Sequence, residues 1–226
     1  IFQVHKGEIP GVAGLQGHGQ TVLLNAVSGL YPLSGGSIIV NGKQVGIKNA
    51  GQAIANGIAL VPSDRKNQGL MLELSNRHNL SISSMKKRMK GCFIDKKAEQ
   101  AFSESMASKL SIKMGGLDLP VSSLSGGNQQ KVVLAREVGE KVDLIIAVYP
   151  TRGLDIDATH FVFDTMLKAR DEGAAVLYIS TELEEILSVS DRIGVLYEGT
   201  LMGIIPGEGA QVEKIGLMMA GEQVAE

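Results

Sequence analysis

An α/β fold with a largely parallel sheet is what this sequence predicts, and two observations carry the prediction. Short apolar runs alternate with stretches of helical periodicity through most of the chain. Strand–helix alternation of this kind puts helices on the faces of a parallel sheet. Glycine is abundant, at 28 of 226 residues, and its placement marks the turns between runs.

The elements follow in order. Ile1-Phe2-Gln3-Val4 opens the chain as a strand-like run, with no methionine before it, which reads as a segment cut from a longer polypeptide. Residues 9–13 read as a strand, then come a Gly-rich turn and a helix over about 21–30. Residues 37–40 form a strand that turns at Asn41-Gly42, a hairpin signal because both residues tolerate positive φ. A short helix at 50–56 and a buried strand at 58–61 come next. Residues 62–120 lack strand-like runs and are helical in pattern, especially 95–110. This block holds Met71, Met85, Met89, Met106 and Met114, which either fill a small helical core or form an adaptable docking surface. The basic run from Met85 to Lys90 reads as a solvated face or a binding patch. Strands return at 143–148, 174–180 and 192–198, and the helix between the first two shows Thr159, Phe163, Met166 and Leu167 on one face.

Composition removes whole classes of function. Apolar residues are 44% and charged residues 20%, ordinary for a globular chain of one or two domains. The formal charge of −2 argues against nucleic acid as a main partner. A lone cysteine, Cys92, excludes an internal disulfide, and the four histidines lack the spacing of a structural zinc site. The apolar run 144–148 is far short of the ~18 residues a membrane-spanning helix needs.

Two constellations carry chemistry. Gly14-Leu15-Gln16-Gly17-His18-Gly19-Gln20-Thr21 lies between a strand and a helix, the context of a phosphate-cradling loop. Gln20 stands where that motif has lysine, so the loop reads either as a weakened anion site or as a plain turn, and His18 as a loop histidine. Leu124-Ser125-Gly126-Gly127-Asn128-Gln129-Gln130-Lys131 opens a later helix. Ser125 can cap it, and two consecutive glycines bare its first amides at a cost of about 1 kcal/mol each against alanine.

That eight-residue run resembles the signature motif of ABC-transporter nucleotide-binding domains, and the resemblance extends from Gly14 to about Gly207. It implies a P-loop (RecA-like) core over 1–61 and 121–208, a small antiparallel β portion, a helical subdomain over 62–120 and a C-terminal helix over 209–226, together one domain. It also identifies departures. Val148 and Tyr149 occupy the positions of the magnesium-ligand aspartate and the catalytic glutamate, Thr181 that of the switch histidine, and Ser63 that of the glutamine after Val61-Pro62. Asp155, in the D-loop-like run Arg152-Gly153-Leu154-Asp155, is retained. Together these describe a degenerate hydrolytic site beside an intact signature. The Pro62-Ser63-Asp64-Arg65-Lys66 run and the Asn128 form of the signature look like the second domain of tandem ATPase subunits in simple-sugar importers, with features of the nucleoside-importing branch in residues 149–155.

The resemblance implies ATP bound between the phosphate loop of one domain and Ser125, Gly126, Gly127, Asn128 and Gln129 of the other, with Mg2+ at the partner's site and nucleotide weakly held or absent at this chain's own. The implied partners are a second nucleotide-binding domain, upstream in the same native chain, and membrane-spanning permease subunits. The implied location is peripheral, at the cytoplasmic face of the membrane. A non-transport pseudo-ATPase scaffold is the alternative from another class.

Overall fold

The computed structural model describes residues 2–139 and 142–223. The chain begins with β1 (Pro10–Ala13), α1 (Gln20–Val27), β2 (Ile38–Val40), β3 (Lys43–Val45), α2 (Ala50–Ala55) and β4 (Ile58–Val61). It continues through α3 (Asn76–Ser81), β5 (Met89–Lys90), β6 (Phe93–Ile94), α4 (Lys96–Lys109) and α5 (Gly126–Val138). The remaining elements are β7 (Leu144–Val148), α6 (Ile156–Asp171), β8 (Ala175–Ile179), α7 (Leu183–Val189), β9 (Arg192–Tyr197), β10 (Thr200–Pro206) and α8 (Val212–Met219).

Six strands form one sheet in the order β10-β9-β1-β8-β7-β4. β1 runs parallel to both β8 and β9, β7 runs parallel to β8, and β10 is an antiparallel edge on β9. β8 is buried at every residue and β7 at all but Leu144, which is why these runs are apolar throughout instead of alternating. The α/β expectation, with its mostly parallel sheet and small antiparallel parts, is met. β2 and β3 form the expected hairpin, with Asn41 and Gly42 both at positive φ, 51° and 76°.

Several local expectations are corrected. Residues 2–4 form no strand; the Phe2 ring lies instead against Gly194 and 5.9 Å from the Arg192 guanidinium, while Ile1 lies outside the described residues. Block 62–120 does contain strands, the two-residue pair β5 and β6, too short to carry a period. Of its five methionines only Met106 is buried, whereas Met71 and Met89 are exposed. The buried face of α6 centres on Val162, Thr165 and Met166, leaving Phe163 and Leu167 half-buried. β10 was not expected at all: its glycine and the register shift between Leu201 and Gly203 hide it.

The chain divides into two compact units. One comprises the segment ending at Leu60, Val142–Tyr149 and the segment from Met166 onward. Its apolar core includes Val12, Leu24, Ile146, Val148, Leu177 and Ile179. The other starts at Val61, runs through α5 and adds Pro150–Thr165. It is wider than the 62–120 block because α5 packs on α3 and α4. There the buried Glu99 carboxylate accepts the Ser81 hydroxyl at 2.7 Å and lies 3.7 Å from Arg77 Nε.

In the first unit Glu8 ties the start of β1 to the start of β9, accepting from Arg192 Nη2 at 2.7 Å and Nε at 3.2 Å. Burial pushes the Glu8 carboxyl up, but the hydrogen bonds from Arg192 and His5 outweigh it and hold the group below its ordinary 4.5. A depressed carboxylate stabilises the fold above its unfolded value and ceases to do so as pH falls through its folded value. Glu8→Gln is therefore expected to cost roughly 0.5 kcal/mol at pH 7, the scale of a partly exposed ion pair. Urea melts should show that difference closing as the pH is lowered below 4.5; a gap that widens on acidification contradicts the assignment.

Candidate functional site

The register of the sheet brings three of the singled-out segments to one edge. Val12 in β1 and Val148 in β7 both pair with Ile179 in β8, so the three strands end side by side. From those ends emerge the loop 14–21, the pair Val148–Tyr149 and the step Ser180–Thr181. The carboxyl edge of a parallel sheet is where α/β proteins bind ligands.

The loop has the backbone of an anion cradle. Gly17 and Gly19 have φ of 94° and 106°, a left-handed conformation that only glycine adopts freely, and Gly19 leads directly into α1. Thr21 is exposed at the start of α1, whose first turn carries no acidic side chain. The Gln20 side chain does not reach outward. It is 2% exposed, folds back over Gly14 and donates from Nε2 to the Leu15 carbonyl at 3.1 Å. A Cβ on Gly14 would stand 2.4 Å from that nitrogen, so Gly14 leaves the room Gln20 occupies. His18 is more than a loop histidine: its ring meets Tyr197 edge-on with centroids 5.1 Å apart, and its Nδ1 is buried with no hydrogen-bond partner among the described residues.

The strand-end residues Val148, Tyr149, Ser180 and Thr181 bring no carboxylate of their own to this edge. Val148 is 3% exposed and belongs to the apolar core, while Tyr149 packs against that core. Tyr149 has a φ of 43°, held by its N–H donating to the Ile179 carbonyl at 2.8 Å. Thr181 is half-buried; beside it the buried Ser180 hydroxyl donates to Glu185 Oε2 at 2.8 Å. Val148 offers no oxygen, and among the described residues no cluster of three or more His, Cys, Asp or Glu could hold a metal. The residues at this edge do not fit Mg2+. They fit a phosphate only through loop amides, the Thr21 hydroxyl and the positive end of α1.

The second unit holds the other constellation. Ser125 caps α5, its Oγ accepting the Asn128 amide at 3.4 Å and the Asn128 carboxamide at 2.9 Å. The carboxamide oxygen of Asn128 in turn accepts the Lys113 amide at 2.8 Å. Gln129 and Gln130 turn inward, donating to the Val121 carbonyl at 3.4 Å and the Pro150 carbonyl at 2.8 Å. Gln129 is thus a buried strut and not an outward-facing contact, and its Oε1 has no partner among the described residues. Asp155 caps α6 by accepting the Ala158 amide at 2.8 Å. Ser63 sits half-buried just past β4 in this same unit.

The two glycines have a structural reason beyond bare amides. A Cβ on Gly127 would stand 3.2 Å from the Ala158 methyl, so the glycine lets α5 approach α6 closely. A Cβ on Gly126 would stand 2.8 Å from Arg65 Nη2. Arg65 is the residue that sequence reasoning passed over. It appeared only as a letter in the 62–66 run, and nothing in that run shows that its guanidinium reaches this helix end.

The fold is that of solved ATP-binding cassettes. The chain superposes with a TM-score of 0.77 on an ATP-binding subunit of an ABC transporter, at 20% identity, covering 97% of this chain and 90% of that one. A nucleotide-free ATP-binding cassette from an ABC transporter gives 0.76 at 20% identity, covering 98% and 87%. The family model described as ABC transporter matches residues 1–152, and the chain belongs to that family. It is 41% identical over 220 residues to the ribose import ATP-binding protein RbsA of Bacillus cereus, covering 97% of this chain and 44% of that protein. It is 38% identical over 227 residues to the nucleoside import ATP-binding protein NupA of Lactococcus lactis subsp. cremoris, covering all of this chain and 45% of that protein. The chain thus spans less than half the length of these curated relatives.

Proposed function

We propose that this chain is the nucleotide-binding domain of an importer for simple sugars or nucleosides, and that it works chiefly as the closing half of an ATP site. One contrast supports the reading. The start of α5 is complete, with Ser125 capping and Gly126 and Gly127 presenting their amides, whereas the chain's own loop has Gln20 turned inward and Val148 sunk in the core. The first-turn amides of a helix have no intrahelical acceptor, and the helix dipole adds partial positive charge there. In this role they meet the γ-phosphate of ATP held on the phosphate loop of a second nucleotide-binding domain. That domain lies upstream in the same native polypeptide, for which relatives more than twice as long as the matched segment leave room.

The site left to this chain is degenerate. It attracts phosphate through amides but lacks the charge and the water-orienting group that supply most of the rate in phosphoryl transfer. The remaining partners are membrane-spanning permease subunits, and the domain sits against the cytoplasmic face of the membrane; among the described residues no helix is long and apolar enough to cross it. The similarity to two import proteins favours transport over a scaffold unconnected to it.

The isolated chain is expected to release phosphate from ATP no faster than a blank. Adding a partner domain with an intact lysine loop and acidic pair should produce turnover that depends on Ser125 and Gly126. Turnover by the isolated chain that disappears on Thr21→Ala overturns the reading.

A further inference from the structure

Arg65 joins three segments of the second unit. The Asp64 carboxylate accepts the Lys66 amide at 3.1 Å, the Asn67 amide at 3.0 Å and the Asn67 carboxamide at 2.7 Å, winding Arg65–Gly69 into a π-helical turn. Those bonds, the Asn67 carboxamide first, hold the Asp64 carboxyl below its ordinary 3.8 and keep it an acceptor. From this turn Arg65 reaches across 87 positions of sequence, donating from Nη1 to the Arg152 carbonyl at 2.9 Å. Nη2 lies 3.5 Å from the Gly153 carbonyl, and the same nitrogen covers the face of Gly126. Arg65 Nε is buried with no partner among the described residues.

We infer that Arg65 is a positioning residue: it fixes the 152–155 loop against the first turn of α5 and sets a permanent positive charge beside that turn. The inference rests on the closing-half reading given above, because the charge and the rigidity matter where that turn meets a phosphate. Its geometry suits arginine alone. A planar fork spans two successive carbonyls while keeping its face against a backbone, whereas a lysine ammonium is a point donor. It also explains Gly126 anew, since the space a side chain would fill is where the guanidinium lies.

The test uses the full-length subunit co-expressed with its membrane partners. Arg65→Ala should lower kcat roughly tenfold with KM for ATP changed less than about twofold, the split expected when an interaction acts only in the closed, reacting state. Arg65→Lys keeps the charge but should recover less than about a third of the loss. Gly126→Ala should reproduce the defect by expelling the guanidinium, and the double variant should be no worse than either single one, as for groups acting as a unit. On the isolated chain, amide exchange at Leu154, which donates to the Thr151 carbonyl at 3.0 Å, should speed up in Arg65→Ala while β7 and β8 are unchanged. Additive losses in the double variant overturn the inference, and so does wild-type kcat in Arg65→Ala. If Gly126→Asp still silences the assembly in that case, the inference alone fails; if Gly126→Asp is harmless, the closing-half reading falls with it. Full activity in Arg65→Lys overturns the two-carbonyl fork.

Discussion

With Gly126→Asp in the assembled importer, phosphate release is expected to fall roughly a hundredfold or more, the scale of losing one oxyanion-directed donor. Three effects add. In the proposed closing role the carboxylate would repel the γ-phosphate of a partner domain, its bulk would cover the first-turn amides, and it would land against Arg65, whose Nη2 would be 2.8 Å from the new Cβ. Ser125→Arg should have a similar outcome, because it removes the cap and fills the same approach. Gln20→Ala and Thr21→Ala should each cost less than about threefold, since Gln20 already spends its donor on the Leu15 carbonyl. Phosphate-release assays on these four variants decide the matter. Equal losses at both constellations mean that the loop 14–21 also drives the cycle and that the closing-half reading fails.

The second large effect is a gain in affinity opposed by a loss of stability. Gln20→Lys with Val148→Asp should tighten Mg-ATP binding by at least about tenfold, as an ionised donor and a carboxylate replace a neutral amide and a methyl-lined wall. Val148 is 3% exposed and packed among Val12, Ile146 and Ile179, so the aspartate also removes core contacts and buries a carboxyl. That should cost about 3 kcal/mol. At about 2–4 °C per kcal/mol for a chain of this size, the melting temperature should drop by about 6–12 °C, with excess Mg-ATP restoring part of it. Calorimetry that finds the parent already binding at micromolar levels, with no gain in the double variant, removes the electrostatic account of the loop.

What the sequence disclosed and what it hid follow from the range over which each feature is encoded. β1, β7 and β8 were legible because a strand in the middle of a parallel sheet must be apolar along its length, and β4, though at the edge, because it is buried along most of its length. The cap at Ser125 was legible because a cap bonds to residues only a few positions away, whereas the capping of α6 by Asp155 was not read from the sequence. β5 and β6 were not, since two residues per strand carry no period, and the Phe2 run misled because one ring packing on Gly194 demands no strand around it. At the site, the glycines of both constellations could be read directly. The inward turn of Gln20 and the Gln129 strut could not, because their acceptors, the Leu15 and Val121 carbonyls, lie on irregular segments outside any helical or strand period, and the reach of Arg65 could not, because it depends on where folding brings a distant carbonyl. Arg65 and Arg152 are separated by 87 positions, and no local pattern encodes their meeting.

Tyr149 sets a limit on evolutionary reversibility. Its left-handed backbone, with φ of 43°, fixes the direction in which any side chain leaves this position, and for tyrosine that path ends against the apolar core. The conformation costs on the order of 1–2 kcal/mol for a residue with a Cβ, which the ring's burial helps to offset. A glutamate arriving here by mutation would start along the same path, without the ring's burial and directed at Val148's neighbours instead of at water. Under the proposed reading of Val148 and Tyr149 as replaced positions, restoring an acidic pair here is expected to need a changed β7 end as well as changed side chains. On that reading single substitutions at Val148 or Tyr149 are expected to lower stability before their combination could restore chemistry, a pattern of sign epistasis at this strand end.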